Sequence, residues 1–205
     1  GIHAPEPAFG VLQLQTVREG FQLEAAKTGM LFSAAIIQTL ALQLQDKDFP
    51  LVVDPVSVSQ SGHQLLERDA VQALKTKLLP LADLLTPNVP EAELLSGMHL
   101  HKPEHVAEVA QALLDMGPKA VLLKGGHMEE SDEVTDWLCL PGEPPEPLSA
   151  PRIETRNTHG TGCTLSAAIA TSLGQGLSLP DAVQRGRGYL RACLQAGYAP
   201  GRGFG

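Results

Sequence analysis

Apolar and polar positions along this chain follow two periods, one helical and one strand-like, and the two alternate from end to end. Residues 5–21 carry Phe9, Leu12, Val17 and Phe21 at helical spacing, which predicts a helix with that face inward. Leu23 to Thr28 reads as a short strand that ends at Gly29. Ser33 then stands where an N-cap belongs, ahead of a helix through Leu44 that turns Ile36, Ile37, Leu40 and Leu44 toward a core. Leu51-Val52-Val53 is wholly apolar and stopped by Asp54-Pro55, the pattern of a strand covered on both faces. Helical spacing returns over 65–79, a short strand over 83–86 and a helix start over 90–95. A helix over 103–116 presents Val106, Val109, Ala110 and Leu113 on one face. Ala120 to Leu123 is another buried strand, followed by Lys124-Gly125-Gly126. Residues 134–140 have strand content, the prolines from Pro141 to Pro147 predict a turn, and 152–155 predict one more strand. Helices over 161–173 and 179–196 complete the series.

Strands alternating with helices of this length imply parallel βαβ units with helices on both faces of a sheet, an α/β fold. Ligands of such sheets bind beyond the C-terminal strand ends. Gly29 and Met30, Asp54 and Val56, Asn88 and Glu91, Lys124 to His127 and the segment near Gly160 all fall there. No repeat and no linker divides the chain, so residues 1–205 are expected to form a single domain.

That rim changes how the charge is read. A formal net charge of −8 argues against general affinity for nucleic acid or an anionic membrane, so an anionic substrate needs a local pocket. No apolar run has the length of a membrane span, and the first residues carry no signal-peptide pattern. The three cysteines, Cys139, Cys163 and Cys193, form neither a CxxC pair nor an evident disulfide framework, which points to a reducing cytoplasm.

The segment Asn157 to Ile169, NTHGTGCTLSAAI, concentrates the candidate chemistry. Gly160, Thr161 and Gly162 precede an apolar run with Leu165, Ile169 and Leu173 at helical spacing. A glycine turn feeding a helix leaves backbone N–H groups at the positive end of the dipole, an anion site. Cys163 falls on the first turn, where that field favours negative charge on sulfur. A plain strand-to-helix turn with a small packed cysteine explains the same letters. Asn88 and Glu91 open a helix, and a capping role explains their spacing unaided; the functional reading makes them oxygen ligands for a water-rich Mg²⁺. Lys124 is either a turn charge or a phosphate contact, with Gly125 and Gly126 allowing close backbone approach. His127 and His159 read as turn residues, His99 and His101 as a solvated loop, and Cys139 and Cys193 as packing residues.

TPNVPEAELL, VLLKGGH, DPV and NTHGTGCTLSAAIA resemble the hydroxymethylpyrimidine/phosphomethylpyrimidine kinases of thiamine biosynthesis, in the ribokinase-like superfamily. The motifs recur in the family's order across nearly the whole chain. The resemblance implies a three-layer αβα sandwich with a mostly parallel central sheet. It also implies phosphorylation of 4-amino-5-hydroxymethyl-2-methylpyrimidine, then of its monophosphate, from ATP with Mg²⁺, by a homodimer. On the matching positions, Gly160, Thr161 and Gly162 would be the anion hole, and Cys163 the base beside the substrate. Lys124 and Thr158 would contact ATP, Asn88 and Glu91 would organise the metal, and Met30 and Val56 would pack on the pyrimidine ring. Most sugar kinases of the superfamily place aspartate where Cys163 stands.

Two other activities share these residues. One is a pyridoxal-type kinase of the same superfamily, some members of which accept both pyridoxal and the pyrimidine; the other is a cysteine-nucleophile hydrolase using Cys163 with a base such as His159. Family members also begin with a strand and a glycine-rich segment that would precede Gly1. The expectation is therefore a domain lacking its first strands, with weak or no activity as the isolated segment.

Overall fold

Alternate residues of the short apolar strands point to opposite faces, and each face has its own core. The computed structural model describes residues 3–57, 65–126 and 132–198. Among these residues the sheet has six strands in the order β1 (Ala26–Thr28), β2 (Leu51–Val53), β3 (Leu84–Leu85), β4 (Val121–Leu123), β5 (Glu133–Cys139) and β6 (Glu146–Pro151). The first four are parallel, and β5 and β6 are antiparallel additions at the far edge. Leu51, Val53, Leu85, Val121 and Leu123 enter the larger core, whereas Val52, Leu84 and Leu122 enter the other. All eight are fully buried, and each such side chain contributes about 1.5–3 kcal/mol.

The larger core is closed by α2 (Ala34–Gln43), α3 (Arg68–Ala73), α4 (Val89–Ser96) and α5 (Val106–Leu114). Ser33 caps α2 as expected, accepting from the amide of Ile36. Ile37 and Leu44 are buried there, while Ile36 and Leu40 are only partly covered. Val106, Val109, Ala110 and Leu113 form the inward face of α5. Beyond α3 the helix loosens into a π segment over Leu74–Leu78 and a 3-10 turn over Leu79–Leu81 where Pro80 intervenes.

The opposite face is covered by α6 (Thr161–Gly174) and α7 (Leu179–Gln195), through Leu165, Ile169, Ala182 and Val183. The two helices cross closely at Gly186, where a Cβ would lie 2.6 Å from an Ile169 side-chain carbon.

Two sequence expectations need correction. The first helix, α1 (Pro7–Gly20), exists but buries nothing: Phe9, Leu12, Val17 and Phe21 are exposed, and Leu14 instead touches the core. α1 packs against α2, tied by Arg18 donating to the Gln43 carbonyl at 2.9 Å. The last strand lies at Glu146–Pro151, not 152–155. Among the described residues β6 is an outer strand paired only with β5. An edge position tolerates Pro151 and also Pro147, which the sequence assigned to the turn.

Candidate active site

Parallel register aligns the ends of β2, β3 and β4, so the residues that follow them stand side by side. Asp54 follows β2, Thr86 follows β3 and Lys124 follows β4. An isolated parallel bridge joins Asn88 to Lys124, and the Lys124 amide donates to the Pro87 carbonyl at 2.9 Å. The lysine is thereby held next to the start of α4. Its Nζ donates to Asp54 Oδ1 at 3.1 Å. Asp54 is 2% exposed and also accepts from Thr86 Oγ1 at 3.4 Å. Ser166 on α6 places its Oγ 3.4 Å from Asp54 Oδ2 and 3.1 Å from the Cys163 carbonyl, tying the head of α6 to the end of β2.

α6 begins at Gly160 in the left-handed region, φ 80°, without a side-chain cap. The Thr161 amide donates to the Thr158 carbonyl at 3.4 Å, and a helix start without a side-chain cap leaves the next first-turn amides, Gly162 and Cys163, for an anion. Gly162 faces the lysine: a Cβ there would lie 3.1 Å from Lys124 Nζ and 3.6 Å from Asp54 Oδ2. Cys163 is exposed and lies on the wall of a cavity of about 510 Å³. Cys139, by contrast, is buried in β5, and burial pushes its thiol up to about 12.

The same cavity receives Val56, Asn88, Glu91, Lys124, Thr158, Gly160, Thr161 and Gly162. Met30, 42% exposed just past β1, stands outside the cavity wall. His159 lines the cavity, and among the described residues no hydrogen bond joins it to Cys163. His127 lies outside the described residues. Cys193 is exposed on α7, so the packing role read for it does not hold.

Asn88 and Glu91 form a full capping box: Asn88 Oδ1 accepts from the Glu91 amide and Glu91 Oε2 from the Asn88 amide, each at 2.9 Å. Glu91 Oε1 also accepts from the Ser57 amide at 3.3 Å. Burial pushes the Glu91 carboxyl above its ordinary range, while Lys124 and the Asn88 amide pull it back in part. Capping and cavity lining are therefore two roles of the same side chains. Gly125 serves packing rather than close approach to a ligand, because a Cβ would lie 1.8 Å from the Thr135 carbonyl oxygen and 2.5 Å from the Trp137 ring. Gly126 alone of that pair reaches the cavity.

Sequence reasoning passed over the part of the wall that α7 supplies. Arg187 donates through Nε to Asp136 at 2.8 Å and through a terminal nitrogen to the Leu148 carbonyl; the Gly125 amide donates to the same Asp136 at 3.1 Å. Arg187, Leu190, Arg191 and Leu194 recur at i, i+3, i+4 and i+7, and all four line the cavity. That spacing was the available signal. Ile153, which follows the hairpin, completes an apolar stretch of this wall.

The aligned ends of three parallel strands, an uncapped glycine turn and a lysine beside it place the chain in the ribokinase-like class of α/β folds. The comparison with solved structures agrees. A Bacillus subtilis pyridoxal kinase in complex with ADP superposes with a TM-score of 0.88 at 30% identity, covering 98% of this chain and 75% of that one. Phosphomethylpyrimidine kinase from Clostridium difficile gives 0.79 at 32% identity, covering 95% and 79%. Within the class, the profile of phosphomethylpyrimidine kinase matches residues 1–205, and the chain belongs to that family. It is 43% identical to the thiamine biosynthesis bifunctional protein ThiED of Geobacter sulfurreducens, over 100% of this chain and 42% of that protein, so it spans less than half of that relative's length. It is 42% identical to the hydroxymethylpyrimidine/phosphomethylpyrimidine kinase of Haemophilus influenzae, over 94% of this chain and 73% of that one.

Proposed function

We propose that this chain phosphorylates 4-amino-5-hydroxymethyl-2-methylpyrimidine, and then its monophosphate to the diphosphate, from ATP in thiamine biosynthesis. One observation carries the reading: the uncapped head of α6, Cys163 and Lys124 Nζ meet in one cavity of about 510 Å³. That volume suits a small ligand. Triphosphate oxygens lie against Lys124, Thr158 and the amides from Gly160 to Gly162, and the flat base lies on Ile153, Leu190 and Leu194. The pyrimidine packs on Val56, with Met30 covering it from outside the cavity.

In the transfer, the substrate hydroxymethyl oxygen forms a bond to the γ-phosphorus as the bond to the β,γ-bridging oxygen breaks, leaving ADP. Cys163 takes the hydroxyl proton. Charge on the moving phosphoryl group is met by fixed amides, which need no reorganisation when the reaction occurs. The donor set near Lys124 fits a hard cation: Asp54, Asn88 and Glu91 offer oxygen only. Because the Asn88 and Glu91 oxygens already accept backbone amides, they would hold Mg²⁺ largely through its waters. Bound there, Mg²⁺ would neutralise charge on the phosphates.

A homodimer in the cytoplasm completes the reading; the free state of all three cysteines suits that compartment. No helix among the described residues is long and apolar enough to cross a membrane. The similarity to pyridoxal kinase supports a second substrate class, a pyridine alcohol of like size. The test compares turnover of the pyrimidine alcohol, its monophosphate and pyridoxal, alongside ATP-dependent thermal stabilisation of the chain. Preference for the pyrimidines with stabilisation by ATP is expected. Preference for pyridoxal would move the assignment to the second class, and absence of ATP stabilisation would overturn the nucleotide placement.

A further inference from the structure

We propose that Glu93, His99 and His101 form a binding site for a divalent first-row transition ion on the outer surface between α4 and α5. It is separate from the cavity, none of whose lining residues it shares. The site is built by a local fold. α4 ends at Gly97 in the left-handed region, φ 74°, and the chain runs out through 98–102 before the 3-10 turn at Pro103–His105.

Leu100 is 1% exposed and anchors this stretch to the core. Its neighbours on either side, His99 and His101, stand outward together, with rings 5.2 Å apart and 15° from parallel. The Leu100 amide donates to Glu93 Oε1 at 2.8 Å, which fixes the carboxylate beside the two histidines. Oε1 lies 3.6 Å from His99 Nδ1 and 4.0 Å from His101 Nδ1. All three ligand atoms lie within 4.8 Å of one another.

Donors about 2.0–2.1 Å from a tetrahedral ion are about 3.3 Å apart, so closing this site needs only side-chain rotation. The imidazoles are well exposed, with side chains 84% and 70% accessible, and are free to make that adjustment. Two imidazole nitrogens and one carboxylate select Zn²⁺, Ni²⁺ or Cu²⁺ over Mg²⁺, and three protein ligands leave a position for water. The site would clip the end of α4 to the start of the α5 connection.

The test titrates NiCl₂ into the tag-free full chain in the presence of excess MgCl₂, followed by calorimetry and by thermal denaturation. One equivalent of Ni²⁺ should bind and raise the melting temperature. His99→Gln and His101→Gln should each weaken binding at least as much as losing an outer-sphere partner does, about 10–100-fold. Both variants should melt like the parent in chelator, since neither ring is buried. Cys163→Ser and Cys193→Ser should leave Ni²⁺ affinity unchanged. Absence of binding, retention of affinity in either histidine variant, or loss in a cysteine variant would overturn the site.

Discussion

Lys124 Nζ donates to Asp54 Oδ1 at 3.1 Å across the end of β3, and both side chains are largely withdrawn from water. The pair joins the ends of two strands that are not neighbours, with Thr86 from the strand between them adding a third contact. A cation so placed is held at one spot on the cavity wall before any phosphate arrives, which lowers the ordering cost of binding.

Removing the lysine separates stability from function. Lys124→Ala leaves Asp54 buried without its counter-ion and is expected to destabilise the fold by about 3–5 kcal/mol. Lys124→Met combined with Asp54→Asn should recover much of that stability in urea denaturation, yet bind ATP no better than Lys124→Ala. Recovery of ATP binding in the double variant would remove the phosphate role from Lys124.

Cys163 is exposed at the head of α6, so its replacement should be well tolerated by the fold. Cys163→Ser is expected to lower kcat for phosphoryl transfer by about 10²–10⁴-fold, the usual worth of a positioned base, with little change in KM. Intact-mass measurement during turnover should show no covalent adduct in the parent protein. A substrate adduct on Cys163 would instead favour a nucleophilic hydrolase.

The two glycines of the turn are needed for different reasons. Gly160 has φ 80° and open space where a side-chain carbon would stand, so Gly160→Ala should cost about 1–2 kcal/mol through backbone strain alone. Gly162 is helical, and its alanine variant should be neutral or gain up to about 1 kcal/mol from propensity. Its new methyl would crowd Lys124 Nζ at 3.1 Å, so ATP affinity should fall while stability does not. Thermal melts with and without nucleotide read both effects at once.

Two carboxylates give opposite pH dependences. Burial pushes Asp83 up, but ion pairs with Lys119 at 2.7 Å and Lys47 at 2.6 Å, and the Leu51 amide at 2.8 Å, outweigh it. Its net shift is below the ordinary 3.8. Its stabilisation is full above that value and is lost as pH falls through the lowered one. Glu91 is raised above 4.5 by burial, so its contribution declines as pH climbs from 4.5 through the raised value. Urea midpoints should therefore show the parent losing its advantage over Asp83→Asn in acid. Relative to Glu91→Gln, the parent should weaken as pH rises through the window above 4.5.

Much of this protein can be read from local letters. Leu51-Val52-Val53 and Ala120 to Leu123 are too apolar for anything but covered strands, and Ser33 and Asn88 cap the helices they precede. Such features depend on neighbours within a few residues, and period and capping chemistry suffice to specify them. The glycine turn before Cys163 was legible for the same reason.

What the tertiary structure alone decided are the relations across long separations. Asp54 looked like a strand terminator until the parallel register set it beside Lys124, seventy positions later, and Ser166 reached it from the opposite layer. The exposed face of α1 has core-like spacing, but periodicity says only that a helix has a face, not that another element covers it. Pro147 suggested a turn rather than a strand because an edge strand is defined by the absence of an outer neighbour, which no local pattern encodes. Local sequence sets the conformation of each segment; which side chains meet in the cavity depends on how the segments stack.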